Sequence, residues 1–326
     1  MKKILVTGCA GFIASKVSKM LTAEGNSVVG VDNLNDAYDV RLKDWRMQNI
    51  LQKLPGFHFE QGDITDLQGM EKLFKQHAPF DGVINLAARA GVRQSVDDPW
   101  VFVNTNVTGT LNLLELCRRY DTRKFVLAST SSLYGSHNPQ PYHEDADTNR
   151  PLSPYAASKK AAEALCHTYH HLYGLDVTIF RYFTVFGPAG RPDMSLFRFT
   201  QWINEGRRVL IYGDGTQTRD FTYVDDIARG TIKGLKPLGY EIINLGNDHP
   251  HQLIEALHIL ERLIGKQALI EYQPMHPADV PATRASIDKA RQLLDWQPQV
   301  GLEEGLTNLA NWYRAERAWC SSVHTL

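Results

Sequence analysis

A tyrosine and a lysine stand four positions apart in the run Pro154-Tyr155-Ala156-Ala157-Ser158-Lys159. Proline is favoured in the first turn of a helix, so the run predicts a helix start with Tyr155 and Lys159 on one face. A free tyrosine has a pKa near ~10, and a neighbouring ammonium favours its ionised form. The pair could therefore supply a phenolate that takes a proton from a substrate hydroxyl.

The same spacing occurs a second time, in Tyr120-Asp121-Thr122-Arg123-Lys124, so spacing alone is not specific. The second copy lies just before a predicted strand, Phe125–Ser129, and we interpret it as surface. Only Tyr155 follows a strand end rich in hydroxyls, Ser129-Thr130-Ser131-Ser132. Ligands of open parallel sheets bind at the carboxyl ends of the strands, so position favours Tyr155.

A glycine-containing turn, Thr7-Gly8-Cys9-Ala10-Gly11-Phe12-Ile13-Ala14, connects the first predicted strand to a helix. This is the context of a dinucleotide-binding turn. Gly8 would allow the tight turn, Gly11 the approach of a pyrophosphate to the backbone, and Ala14 close helix packing. The spacing is GxxGxxA rather than GxGxxG, so an ordinary strand-to-helix turn remains an alternative.

An acidic residue, Asp32, ends the second predicted strand. Its carboxylate can accept both ribose hydroxyls of adenosine and would repel a 2′-phosphate, which favours NAD over NADP. The predicted cofactor contacts are Gly8, Gly11, Phe12, Ile13, Ala14, Asp32, Asn33, Asp63, Ile64, Leu86, Ala87, Ala88, Asn106, Tyr155, Lys159 and Tyr182. Taken alone, Asp63 could equally cap a helix, and Ala87-Ala88 could reflect close packing.

The elements that must position these residues alternate along the chain. Strands are predicted at Lys3–Thr7, Ser27–Asp32, Phe57–Gln61, Gly82–Leu86 and Lys124–Ser129, with a helix at Ile13–Glu24. This alternation predicts an α/β fold with a doubly wound parallel sheet of the Rossmann type. Its strands are apolar at consecutive positions, as expected where helices cover both sheet faces.

The sequence is richer in turns from Pro188 onward, which predicts a second, smaller mixed α/β domain that binds substrate. A helix at Val224–Leu235 and a strand at Glu241–Leu245 indicate a return to the first sheet. We therefore predict an NAD-binding domain at 1–182 and 220–247, and a substrate domain at 183–219 and 248–326.

The composition is ordinary for a cytosolic globular protein, with 22% charged residues, 43% hydrophobic residues and a net charge of −1. It gives no support to nucleic-acid binding. The N-terminal apolar stretch is too short for a signal peptide, and no run approaches the ~20 apolar residues of a membrane span, so we expect a cytoplasmic protein. The four cysteines are scattered without CxxC pairs, which predicts neither a disulfide framework nor a metal site.

The chain resembles the extended short-chain dehydrogenase/reductase family over nearly its whole length. The resemblance is carried, in order along the sequence, by the glycine turn, the Tyr155–Lys159 pair and three later blocks. The later blocks are Arg181–Pro188, Arg219–Asp226 and Leu294–Pro298. The family's catalytic Ser or Thr maps to Thr130, four residues before Tyr134. The resemblance implies that Thr130, Tyr155 and Lys159 form the catalytic set, and a cationic nicotinamide ring would further lower the pKa of Tyr155.

Within that family, the runs Ala90–Arg93 and Arg181–Met194 are most similar to UDP-glucuronate 4-epimerases. The resemblance implies a UDP-sugar substrate, oxidised at C4 by NAD and reduced again on the opposite face. The implied substrate contacts are Arg93, Ser131, Ser132, Thr184, Arg191, Arg219 and Asp279. Arg191 suits a sugar carboxylate because guanidinium matches its geometry, although it could instead fix its own turn. Arg93 could serve the same anion or a helix end.

Several alternatives remain open. Ser131 and Ser132 stand where sugar-nucleotide dehydratases carry an Asp-Glu pair, so dehydration lacks its acid and base. The other hypotheses are a UDP-glucose-type 4-epimerase, a UDP-uronate decarboxylase and an NAD-sensing regulatory protein without catalysis. The resemblance also implies a homodimer, formed through helices near Pro99–Arg119 and Tyr155–Leu172.

Overall fold

A sheet of parallel strands lies at the centre of the computed structural model, which describes residues 1–275 and 279–325. The strands are β1 (Lys3–Thr7), β2 (Ser27–Asp32), β3 (Phe57–Gln61), β4 (Gly82–Asn85), β5 (Lys124–Thr130), β6 (Asp176–Tyr182), β7 (Thr184–Phe186), β8 (Arg208–Tyr212), β9 (Thr218–Arg219), β10 (Phe221–Tyr223), β11 (Tyr240–Leu245), β12 (His251–Gln252) and β13 (Leu269–Gln273). The helices are α1 (Phe12–Ala23), α2 (Arg41–Asn49), α3 (Leu67–His77), α4 (Gln94–Asp97), α5 (Pro99–Val103), α6 (Gly109–Arg119), α7 (Pro154–Tyr173), α8 (Ser195–Glu205), α9 (Val224–Lys233), α10 (Leu253–Ile264), α11 (Asp288–Leu294) and α12 (Leu302–Cys320).

The central sheet has seven strands in the order β11-β6-β5-β4-β1-β2-β3, and all of its pairs are parallel. This confirms the predicted doubly wound Rossmann fold. Strands β4 and β5 are buried along their whole length because helices cover both faces. The strand order reverses between β1 and β4, and the crevice at such a reversal is where ligands of open α/β sheets bind.

Neighbouring residues of β1 face opposite sides of this sheet. Ile4 packs in the cluster that contains α1 and α9, whereas Leu5 packs with α3, α6 and α7. Period-two alternation thus places consecutive apolar residues in two separate cores. The apolar run read from the sequence therefore corresponds to a strand buried on both sides.

A third apolar cluster lies outside this sheet. Helices α8, α10 and α12 pack there against β8 and β10, and β8 pairs with β13. Trp296, near the end of the chain, is instead buried in the cluster of α1 and α9, where its Nε1 donates to the Asp226 carbonyl at 2.9 Å. Of the helices in the described ranges, none has the length and apolar character needed to span a bilayer.

Candidate active site

A cavity of about 600 Å³ opens at the carboxyl ends of the parallel strands. Most of the residues predicted to bind cofactor or substrate line it: Gly8, Gly11, Phe12, Ile13, Ala14, Asp32, Asn33, Asp63, Ile64, Leu86, Ala87, Ala88, Thr130, Ser131, Ser132, Tyr155, Lys159, Tyr182, Thr184 and Arg191. Four predicted residues do not line it: Arg93, Asn106, Arg219 and Asp279. Those four are placed below.

The turn between β1 and α1 fits a dinucleotide. Gly8 has φ of +67°, and a Cβ there would lie 2.8 Å from the Ala87 backbone. A Cβ on Gly11 would lie 2.8 Å from the Gly8 carbonyl oxygen. Gly11 caps α1 without any side-chain hydrogen bond, so the helix N-terminus can meet a pyrophosphate.

The buried Asp32 carboxylate organises the turn that follows β2. It accepts hydrogen bonds from the backbone amides of Ala10, at 3.1 Å, and Leu34, at 2.8 Å. The ammonium of Lys43 lies 3.3 Å away and also lines the cavity. Sequence reasoning missed Lys43 because it belongs to α2 and to no recognised motif.

Arg46, also on α2, is fully buried and connects two loops that border the cavity. Its guanidinium donates to the Ala10 carbonyl in the glycine turn, at 3.0 Å. It also donates to the Ala189 carbonyl, at 2.7 Å, and to the Gly190 carbonyl, at 3.3 Å. One side chain thus holds the glycine turn against the loop that leads to Arg191.

Tyr155 and Lys159 lie on the first turns of α7, as predicted. Ser153 caps this helix by accepting a hydrogen bond from the Ala156 amide, at 3.2 Å, and Pro154 follows in the first turn. Lys159 donates to the Ala128 carbonyl at 2.9 Å. The helix start therefore presents both side chains beside the end of β5.

The pKa of Tyr155 differs from the sequence expectation. Burial raises it, while Thr130 and the charge of Arg191 act in the opposite direction. Burial also lowers the pKa of Lys159 to about 8. In the protein alone, desolvation of the phenol dominates, and the Lys159 ammonium is directed at the Ala128 carbonyl. The predicted lowering also depends on the cationic nicotinamide ring, so it stays a prediction.

A buried ion pair lies beneath the face of α7 that carries Tyr155 and Lys159. Glu163, one turn beyond Lys159, accepts hydrogen bonds from Arg181 Nε at 3.0 Å and Nη2 at 2.8 Å. The two side chains are 3% and 2% exposed, and Ser129 also donates to Glu163, at 2.6 Å. The charge of Glu163 raises the pKa of Lys159 against the effect of burial. This pair ties α7 to β5 and β6.

The second Tyr-x-x-x-Lys copy lies away from the cavity. Tyr120 follows α6, and its hydroxyl donates to Glu71 at 3.4 Å. Lys124 begins β5, at the strand end opposite the cavity. The interpretation of this copy as surface is wrong for Lys124, which is buried because it pairs with Asp176 on the neighbouring strand.

Asn106 lies behind the cavity rather than on its wall. It sits in a wide helical turn, Asn104–Thr108, that joins α5 to α6. Its amide donates to the Arg89 carbonyl, at 3.0 Å, and to Ser158 Oγ, at 2.9 Å, and its oxygen accepts from the Arg89 amide. Asn106 therefore positions α7 against the loop after β4.

Arg191 lines the cavity on the same side as Tyr155, and its guanidinium is already engaged. It donates to both carboxylate oxygens of Asp193, at 3.1 and 2.6 Å, and to the Ala90 carbonyl at 2.8 Å. The same contacts fix the loop and aim a cation at the cavity. These contacts agree with the interpretation that Arg191 fixes its own turn, whereas its binding of a sugar carboxylate stays a prediction.

The remaining predicted substrate residues form a second cluster. Arg93 pairs with Asp279 at 2.5 Å and stacks 3.8 Å from the ring centroid of Tyr212. Burial lowers the pKa of Arg219, and the nearby charge of Arg93 acts in the same direction, whereas Asp279 raises it. Two arginines close to each other in a partly buried setting form a suitable anion site.

Arg198 adjoins this cluster and was missed by sequence reasoning. Burial lowers its pKa, and the charge of Arg93 acts in the same direction. Its guanidinium lies 4.4 Å from the Trp202 ring centroid, and its buried Nε has no hydrogen-bond partner among the described residues. The one signal in the sequence is a cation between two aromatic residues, Phe197 and Phe199.

Comparison with known proteins agrees with this arrangement. A model of the NAD dependent epimerase/dehydratase family matches residues 4–246. The UDP-glucuronate 4-epimerase of Thermodesulfobacterium geofontis is 59% identical over 309 residues, which cover 94% of this chain and 95% of the relative.

Two crystal structures share the fold over nearly their whole length. The UDP-glucuronic acid 4-epimerase from Bacillus cereus, in complex with UDP-glucuronic acid and NAD, is 38% identical with a TM-score of 0.89, covering 96% of this chain and 99% of that chain. The UDP-glucose 4-epimerase from Thermotoga maritima, with UDP-glucose, is 32% identical with a TM-score of 0.87, covering 97% and 99%. The chain therefore belongs to the NAD dependent epimerase/dehydratase family, as its motifs predicted.

Proposed function

We propose that this protein is a UDP-glucuronate 4-epimerase that interconverts UDP-glucuronate and UDP-galacturonate through a 4-keto sugar, with tightly bound NAD. The observation that carries the proposal is that the glycine turn, the Tyr155–Lys159 pair and Arg191 line the same cavity. The identity of 59% to a UDP-glucuronate 4-epimerase supports the choice of sugar.

Each residue has a separate task in this proposal. Tyr155 takes the proton of the C4 hydroxyl, Thr130 bridges the phenolic and sugar oxygens, and Lys159 keeps positive charge beside them. NAD, when bound by the glycine turn and Asp32, supplies the acceptor and donor of the C4 hydride. Tyr155 then returns its proton after the keto sugar has turned over, so the epimer forms without net oxidation.

The uronate carboxylate and the nucleotide occupy opposite ends of the substrate. In this proposal the carboxylate is held by Ser131, Ser132, Thr184 and Arg191. The diphosphate faces Arg93, Arg198 and Arg219, and the ribose faces Asp279. A 4-keto group is β to the carboxylate, so the keto sugar readily loses carbon dioxide. Carbon dioxide is lost fastest when the bond to the carboxylate stands perpendicular to the plane of the ketone. Contacts that hold the carboxylate away from this orientation therefore protect the keto sugar.

The assignment is tested by incubating the protein with UDP-glucuronate and identifying the product by NMR. UDP-galacturonate is expected. Release of carbon dioxide together with a UDP-pentose would identify a decarboxylase. Preferential turnover of UDP-glucose would identify a neutral-sugar epimerase. A protein that binds NAD but turns over none of these sugars would be regulatory.

We expect NAD to bind at least tenfold more tightly than NADP, because the buried Asp32 would face a 2′-phosphate. Lys43 partly offsets that repulsion, since its ammonium lies 3.3 Å from the same carboxylate. Calorimetric titration of cofactor-free protein with each dinucleotide measures the difference. Equal affinities, or tighter binding of NADP, would contradict the proposed role of Asp32.

Arg191→His should weaken the use of UDP-glucuronate and let part of the keto sugar lose carbon dioxide. Loss of one charge-assisted hydrogen bond is worth roughly 1.5–3 kcal/mol, enough to change product partitioning about tenfold or more. Product analysis would show a UDP-4-keto-pentose beside UDP-galacturonate, and each keto-pentose released would leave its C4 hydride on the protein as NADH. Arg150→His is the matched control, because Arg150 is 75% exposed. Unchanged products from the Arg191 variant would assign this residue to its own loop.

We also propose a homodimer formed through α5, α6 and α7. These helices expose apolar side chains that a partner would cover: Trp100, Val103, Leu111, Leu172 and Tyr173. Light scattering tests this directly, and a mass of one chain would contradict it. The functional division into an NAD-binding domain at 1–182 and 220–247 and a sugar-nucleotide-binding domain at 183–219 and 248–326 stays a prediction, as does the cytoplasmic location.

A further inference from the structure

Two histidines and a glutamate converge on the outer edge of the central sheet, away from the cavity. His58 and Glu60 are alternate residues of β3, so their side chains share one face of this edge strand. Helix α3 ends beside them, and His77 is its last residue. None of the three lines the cavity, and His58 stands near the strand end opposite to it.

The three side chains direct their donor atoms at one point. His58 Nε2 and His77 Nε2 each lie 2.8 Å from the same oxygen of Glu60. The two imidazole ring centroids are 5.0 Å apart, and all three donor atoms lie within 4.8 Å of one another. Within the two described ranges, this is the one group of three His, Cys, Asp or Glu residues so arranged.

The chemistry of this trio selects a class of ion. Two imidazole nitrogens and one carboxylate oxygen form a donor set typical of Zn²⁺ with three protein ligands, whereas Mg²⁺ and Ca²⁺ prefer oxygen ligands alone. Separations of 2.8 Å need to widen by about half an ångström to admit an ion with bonds of ~2.0–2.2 Å.

We propose that His58, Glu60 and His77 bind one Zn²⁺-class ion, with water at the fourth position. Each ring would turn the lone pair of Nε2 toward the ion and carry its proton on Nδ1. The ion would join β3 to the end of α3, which already meet through hydrogen bonds between Glu60 and both Gln76 and His77. The ion would take no part in the chemistry of the cavity, because none of the three residues lines it.

Zinc titration of tag-free, chelator-treated protein tests the proposal, with a chromophoric chelator as competitor. One equivalent of Zn²⁺ per chain is expected, and Mg²⁺ should not compete. His77→Gln and Glu60→Gln should each weaken binding at least tenfold. The four cysteines are buried, so thiols should not contribute.

The chain offers a matched control in the histidines His167 and His171 of α7. Their rings are stacked with centroids 6.4 Å apart, but in the described part of the chain they belong to no group of three such donors. The double variant His167→Gln/His171→Gln should keep the zinc equivalent. Zinc should also raise the thermal midpoint of the parent and of this control, but not that of His77→Gln. The proposal would be overturned if the parent bound less than one equivalent of Zn²⁺ per chain. It would also be overturned if both His77→Gln and Glu60→Gln still bound that equivalent.

Discussion

Replacing Tyr155 with phenylalanine should abolish epimerisation while UDP-glucuronate and NAD still bind. The change removes only the oxygen that titrates, and the ring keeps its edge-on contact with Phe102, whose centroid is 6.1 Å away. Acid–base catalysis by a positioned side chain contributes about 10²–10⁴-fold, so we expect a loss of roughly 10³-fold in kcat. Initial rates followed by NMR measure the loss, and calorimetry measures the retained binding.

The second Tyr-x-x-x-Lys copy provides the control for this prediction. Tyr120→Phe removes the same oxygen from the same local pattern, but its hydroxyl contacts Glu71 rather than the cavity. This variant should keep parental kcat. Lys159→Met should match the severity of Tyr155→Phe and also weaken NAD binding. A Tyr155→Phe enzyme within tenfold of the parent would exclude this tyrosine as the base.

Replacing Glu163 with alanine should destabilise the protein by roughly 3–5 kcal/mol, because it leaves the buried Arg181 guanidinium without its counter-charge. Ser129 would lose its acceptor as well. Chemical denaturation at neutral pH measures the free energy of unfolding. Since Glu163 also raises the pKa of Lys159, the variant should show a lower pKa for that lysine in any residual activity.

Two further variants separate a charge effect from general damage to the fold. The double variant Glu163→Leu/Arg181→Leu should recover much of the lost stability, because no unpaired charge stays buried. Glu303→Ala breaks an exposed pair with Arg262, which has a similar distance of 2.9 Å, and should change stability little. A double variant less stable than Glu163→Ala would contradict the charge explanation.

Local periodicity explains what could be predicted of the fold. Strands such as β1 and β5 are apolar at consecutive positions because both faces of the sheet are covered, and this pattern is visible in any short window. The glycine turn and the Tyr155–Lys159 face are equally local. Trp296 shows the limit of such prediction, since its burial in the cluster of α1 and α9 depends on contacts with residues about 70 positions away, such as Asp226.

Contacts between distant segments were not predictable in the same way. The sequence supplies the charge of Arg93 but not its partner Asp279, which is 186 residues away. It supplies Lys43 but not the carboxylate that the ammonium meets. The pKa of Tyr155 depends on how much of the phenol is desolvated and on where Lys159 points, and neither quantity has a counterpart in spacing.

The position of Arg46 bears on how long a dinucleotide stays in the protein. Both the glycine turn and the loop before Arg191 are fastened to this one buried guanidinium, so opening the cavity between them breaks several hydrogen bonds to a charged group at once. Exchange with free dinucleotide should consequently be slow compared with turnover of the sugar. An enzyme that retains its redox partner in this way sets the ratio of its two sugars by their own relative stability, whatever the balance of oxidised and reduced dinucleotide in its surroundings.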